Sequence, residues 1–179
     1  MTQVGTTYAE ALYVLAKDEG LEDVILEDLT ALGAGFEEEP AFARLLSAPN
    51  LSKEERCGIL DESFRGKVQP YVLNFLKILT EKGYARHFTD CCKAYRDLYN
   101  QHHGILPVTA VTALALTEDQ SARLARKLSA ITGKTVDLHN RVDPAVLGGV
   151  RLDYDGKRVD GTVESRLKAV DKLLKNTVL

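Results

Sequence analysis

The sequence predicts an N-terminal all-α six-helix bundle followed by a small α+β domain. Two observations carry this. Apolar residues recur at helical spacing, punctuated by caps and breakers, through the first hundred residues. After Gly104 the texture changes to β-formers, alternation and an Asp-Gly turn. The predicted boundary divides residues 1–104 from residues 105–179.

Thr7 and Glu10 have capping-box spacing, with Tyr8, Ala11, Leu12 and Leu15 following at helical intervals. Gly20 stands where a C-terminal glycine cap belongs. A second helix opens with Glu22 and Asp23 and buries Ile25, Leu29, Leu32 and Phe36. A short third helix starts at Pro40 and carries Phe42, Leu45 and Leu46 until Pro49-Asn50 breaks it. Ser52 and Glu55 form a further capping box ahead of Ile59, Leu60 and Phe64. From Tyr71 to Leu79 only Asn74 and Lys77 are polar, so the fifth helix is central in its bundle or shares a side with a partner. Gly83 ends it. The sixth carries Phe88, Cys91, Cys92, Tyr95, Leu98, Tyr99 and His102 on one stripe and stops at Gly104.

Ile105 to Val111 reads as a strand, with Pro107 marking its start or an edge. Thr117 and Gln120 cap a helix that turns Leu124, Leu128 and Ile131 inward and ends at Gly133. Val136, Leu138 and Val142 alternate as a half-buried strand requires, and so do Val150, Leu152 and Tyr154. Asp155-Gly156 predicts a hairpin, with Val159 on the returning strand. A last helix carries Val163, Leu167, Val170, Leu174 and Val178.

Composition excludes several functions. The chain has 179 residues and a net charge of −3 with mixed signs, which argues against nucleic acid as a partner. No apolar run reaches the ~20 residues that span a bilayer, and the N-terminus lacks signal or transit features. Cys57, Cys91 and Cys92 are an odd number and suit a reduced compartment.

No catalytic, cofactor or metal constellation is expected. Neighbours His102 and His103 point about 100° apart on a helix, so they do not readily share a metal; His102 reads as a packed helix-end residue. His87 and His139 are isolated. Cys91-Cys92 lacks the two-residue gap of a redox or zinc motif and reads as buried thiol. Gly148-Gly149 runs into a strand and not into a helix N-terminus, so it answers a backbone need and not a phosphate. The acidic clusters at Glu37-Glu38-Glu39 and around Glu54-Glu55 read as solvated helix ends. The apolar helices remain, either as core or as a groove for a partner's amphipathic helix.

Several stretches together resemble one family. They are Val142-Asp143-Pro144 with Gly148-Gly149, then Asp160-Gly161-Thr162 with Arg166-Leu167. Thr7-Tyr8-Ala9-Glu10-Ala11-Leu12 and the run Asn74 to Gly83 support them. In order and spacing they resemble the delta subunit of bacterial-type ATP synthases, the oligomycin-sensitivity-conferring protein family. Members often carry a basic residue where Glu10 stands, a serine at Thr162 and an arginine at Tyr84.

The resemblance implies a non-catalytic stator connector without cofactor. It implies that residues 1–104 seat on the alpha/beta hexamer by gripping the N-terminal helix of an alpha subunit. It implies that residues 105–179 hold the C-termini of the peripheral-stalk b subunits. The groove residues it implies are Tyr8, Ala11, Leu12, Leu15, Phe75, Ile78 and Leu79. It places the chain at the cytoplasmic face of a bacterial membrane, attached only through its complex. The runner-up is a helix-binding adaptor of another assembly; an enzyme using His102 or Cys91 comes far behind.

Overall fold

The computed structural model describes residues 2–48, 51–146 and 148–161. The chain divides into two compact units, Met1–Tyr99 and Asn100–Leu179. It is mostly helical, with a small four-stranded sheet in the second unit.

The first unit is built from α1 (Gln3–Glu19), α2 (Glu22–Glu38), α3 (Pro40–Leu46), α4 (Lys53–Phe64), α5 (Pro70–Glu81), a 3-10 turn (Ala85–His87) and α6 (Phe88–His102). Helix α1 starts five residues before the expected capping box. Thr2 is extended and its hydroxyl accepts the Gly5 N–H, so the helix is already running when it reaches Thr7. Thr7 is exposed and donates to the Gln3 carbonyl. Gly20 ends α1 in the left-handed conformation, where its N–H can reach the last carbonyls. Ser52 and Glu55 form the reciprocal capping box that opens α4.

Helix α5 buries Val72, Leu73, Phe75, Leu76, Leu79 and Thr80, half of its twelve residues, on one face. Thr80 is satisfied by its own helix, donating to the Leu76 carbonyl at 2.8 Å. Gln69, the N-cap, supplies no side-chain cap; its N–H instead donates to Asp28 Oδ2 of α2 at 2.6 Å. The core around α5 joins Ala9, Leu12 and Tyr13 of α1 to Ile25, Leu29, Leu32 and Phe36 of α2, and to Phe88, Cys91 and Tyr95 of α6. Aromatic edges stitch it: Phe36 lies 4.7 Å from Phe88, and Tyr13 5.3 Å from Tyr95, between ring centroids. His102 is exposed, because the buried face of α6 ends at Tyr95 and the helix runs on past the core.

The second unit runs β1 (Ile105–Thr112), α7 (Glu118–Thr132), β2 (Thr135–Val142), β3 (Val150–Tyr154) and β4 (Lys157–Asp160). The sheet order is β2-β1-β3-β4, with β1 parallel to β2 and the other pairs antiparallel. Thr117 and Gln120 form the expected capping box of α7. Asp155 and Gly156 both take positive φ, 47° and 68°, as a tight two-residue hairpin turn demands.

Pro107 is neither at a start nor on an edge strand; it sits third in the central strand β1. The Gly104 and Thr112 carbonyls accept bonds from Thr135 and Asp143, so even-numbered backbone groups face β2. The nitrogen of Pro107 therefore faces β3, whose pairing begins only at Thr109. No ladder bond is lost there. Ile131 also departs from expectation, being 80% exposed. The half-buried face of α7 is Ser121, Leu124, Ala125, Leu128 and Ser129. At 100° per residue that face is centred about 90° from Ile131. Val142, at the end of β2, is likewise exposed. The expected last helix lies outside the described residues.

Asn140 holds the top of β1 to the loop before α7. Its amide donates to the Ala110 carbonyl and the Thr112 hydroxyl, both at 2.9 Å, and accepts the Leu116 N–H at 2.8 Å. Replacing Asn140 by Ala should cost this unit about 1–2 kcal/mol. Urea unfolding followed by probes in the sheet checks this; an unchanged midpoint would show that the loop holds without the clip.

Candidate functional site

The expected groove residues divide into two sets. Leu12, Phe75 and Leu79 are buried in the common core. Tyr8 is half-buried against that core, its ring edge-on to Tyr84 at 6.0 Å. Ala11 is exposed, Leu15 is 38% exposed and Ile78 is 46% exposed. The outward-facing members are therefore Ala11, Leu15 and Ile78, with Tyr8 at the margin.

Helical phase explains this division and adds a residue. The core side of α1 is Gly5, Ala9, Leu12, Tyr13 and Ala16. Val4, Tyr8, Ala11 and Leu15 form a second stripe, spaced four, three and four residues, that flanks the core face. This is the spacing of a seam that packs another helix. Val4 is half-buried and was not singled out from the sequence; its signal was that spacing. On α5, Tyr71 and Ile78 are the apolar side chains left partly or wholly outside the core cluster.

Beside Ile78 the surface is polar and ordered. Lys77 pairs with Asp61 of α4 at 2.7 Å, and Arg65 reaches the same oxygen at 3.1 Å. The Lys77 hydrogen bond, ahead of its other partners, holds the Asp61 carboxyl below the usual range. Elsewhere on this unit an apolar groove of about 670 Å³ lies between α2, α3 and α4, floored by Leu32, Phe36, Phe42, Leu45 and Phe64. The small residues Ala31 and Gly35 open it from the α2 side. The sequence carried a trace of it in those small residues beside a short aromatic helix.

The chemistry-bearing side chains sit in settings that quiet them. Burial pushes the thiols of Cys91 and Cys92 up to about 12. Cys57 is also raised, by burial and then by Glu81, whose carboxylate lies 3.8 Å from its sulfur. Among the described residues no group of three or more His, Cys, Asp or Glu side chains is placed to hold a metal. Gly148 and Gly149 have φ of 112° and 85°, a backbone geometry that side chains disfavour, and lead into β3. Glu37 pairs with Lys93 at 3.3 Å, and Arg56 donates to the Leu46 carbonyl at 3.2 Å, tying the ends of α3 and α4.

Comparison with known proteins decides the family. The sequence model of the ATP synthase delta (OSCP) subunit matches residues 4–174. The chain belongs to that family. ATP synthase subunit delta of Alkaliphilus oremlandii is 33% identical over 171 residues, 96% of this chain and 95% of the relative. The delta subunit of Clostridioides difficile is 30% identical over 176 residues, covering 98% and 97%. That of Lactobacillus johnsonii is 32% identical over 176 residues, covering 97% and 96%. A chain of the Toxoplasma gondii mitochondrial ATP synthase hexamer shares the fold, with a TM-score of 0.76 at 18% identity over 97% of this chain and 98% of that one.

Membership in the delta family makes the chain a structural, stator-type subunit of the F-type ATP synthase and not a catalyst. It is a peripheral component of that complex. Among the described residues no helix is long and apolar enough to cross a membrane.

Thiol reactivity tests the quiet interior. With pKa values near 12, only about one Cys91 or Cys92 side chain in ten thousand is ionised at pH 8. A chromogenic disulfide reagent at pH 8 should label native protein at Cys57 first and reach Cys91 and Cys92 only after unfolding. Prompt labelling of all three would contradict the packing of α6.

Proposed function

We propose that this chain is the stator connector of its ATP synthase, joining the alpha/beta hexamer to the b subunits so that rotation is coupled to ATP synthesis. The helical part, residues 1–104 acting as one six-helix bundle, grips the N-terminal helix of an alpha subunit. Residues 105–179 hold the C-termini of the peripheral-stalk b subunits. The chain then works at the cytoplasmic face of the bacterial membrane, reaching it only through the complex, with no part for nucleic acid.

One observation carries the first attachment. Val4, Tyr8, Ala11 and Leu15 form a helix-packing seam on α1 beside its core face, with Tyr8 at the margin packed against the core, and Ile78 is an exposed isoleucine on α5. Apolar side chains in that arrangement are anchors for an amphipathic partner helix. Anchors buried in a groove chiefly slow release, and a stator under torque depends on slow release. A nanomolar Kd needs about 12 kcal/mol, within reach of several such anchors.

Leu15→Asp and Ile78→Asp should each weaken binding of a synthetic alpha N-terminal helix peptide about tenfold or more. Because both side chains are already partly exposed, the melting temperature should fall by no more than a few degrees. Titration calorimetry of wild type and both variants reads this directly. Wild-type affinity in both folded variants would sink the groove assignment. Cross-linking within the intact complex tests the second attachment, where b-subunit links confined to residues 1–104 would overturn it.

A further inference from the structure

We propose that Thr2, Gly5 and Asp90 form a clasp that sets the position of α1, and through it the spacing of the partner seam. This rests on the reading of that seam as the alpha-binding groove.

The clasp joins residues far apart in the chain. The Thr2 hydroxyl accepts the Gly5 N–H at 3.3 Å and donates to Asp90 Oδ2 at 2.9 Å. One hydroxyl thus caps α1 and ties it to the first turn of α6. Its hydrogen bond is the largest influence holding the Asp90 carboxyl below the usual range, so the acceptor stays ionised. His87 Nδ1 stands 3.9 Å from the same oxygen.

Gly5 is the steric half of the clasp. It is buried in the first turn of α1, three residues after the cap. A Cβ built on it would lie 2.9 Å from Asp90 Cβ and 3.3 Å from the Asp90 carbonyl carbon. Neither atom belongs to a flexible side-chain end. Carbon atoms attract at about 3.5–4.0 Å, so an alanine would part the two helices by roughly 0.6–1 Å. The glycine therefore permits a close approach of α1 to α6.

That approach bears on the seam. Val4 and Tyr8 are on the same two turns of α1 as Gly5, and Tyr8 meets Tyr84, which follows α5. Moving the start of α1 away from α6 shifts Val4 and Tyr8 relative to α5, changing the width a partner helix must fit. Gly5 and Thr2 touch no partner in this account; they are positioning residues.

A size swap tests it on the full-length chain with the alpha N-terminal peptide as probe. Gly5→Ala should weaken peptide binding about tenfold. Asp90→Gly removes the opposing Cβ, so Gly5→Ala combined with Asp90→Gly should bind within about twofold of Asp90→Gly alone. Loss of stability alone would not be repaired by the swap, because the double variant carries both destabilising changes. Wild-type binding by a folded Gly5→Ala, or an equal loss with and without the swap, overturns the clasp and leaves the groove standing. Should Gly5→Ala fail to fold, Thr2→Val, which keeps shape and removes the hydroxyl, should weaken binding several-fold; unchanged binding overturns the proposal. If wild type itself does not bind the peptide, the groove reading falls and the clasp's role falls with it.

Discussion

Helix α5 must keep one broad face covered, six of its twelve residues. Its buried residues, from Val72 to Thr80, form one continuous face of about half its circumference, while Pro70, Asn74, Ile78 and Glu81 are exposed. Helices α1, α2 and α6 contribute to one core with it, and α4 adds Leu60. Even its first backbone donor is captured from outside, by Asp28 of α2. That face stabilises its neighbours as much as itself, since burying each leucine or phenylalanine contributes about 1.5–3 kcal/mol. Among its exposed residues, Pro70, Asn74, Ile78 and Glu81, Ile78 stands out as a large apolar side chain.

Local signals were legible in the sequence, and distant ones were not. The boxes Ser52/Glu55 and Thr117/Gln120 close over three residues, so their spacing could be read directly. The Asp155-Gly156 turn needs only its own two φ angles. Thr7 misled because its spacing to Glu10 is that of a box, while the working cap, Thr2, is certified by Asp90, 88 residues away. Pro107 misled for a related reason: tolerance of proline depended on how far β3 reaches, which is a matter of register between strands. Phase errors account for Ile131, whose stripe is correct in period and displaced in angle.

The candidate seam was half legible. Family resemblance pointed to the first and fifth helices, and periodicity could not separate Leu12, which faces inward, from Leu15, which faces outward. Residues three apart on a helix lie about 60° apart, enough to move from core to flank. Family resemblance supplied the idea of a groove, and burial distinguished the side chains free to meet a partner. The same burial quiets Cys91 and Cys92, whose thiols are packed as small apolar groups and held protonated.

Helix α3 has seven residues and buries only Leu46, and it is held at its end by Arg56 of α4. A helix that short has no stability of its own. Its hold on the unit is therefore much weaker than that of α5, and the unit carries a gradient of local opening free energy across its width. Amide hydrogens of α3 are expected to exchange through smaller openings than those of α5. The wall of the α2–α4 groove formed by Phe42 and Leu45 belongs to the loose end of that gradient, so that groove changes shape at little cost while the α5 side keeps its form.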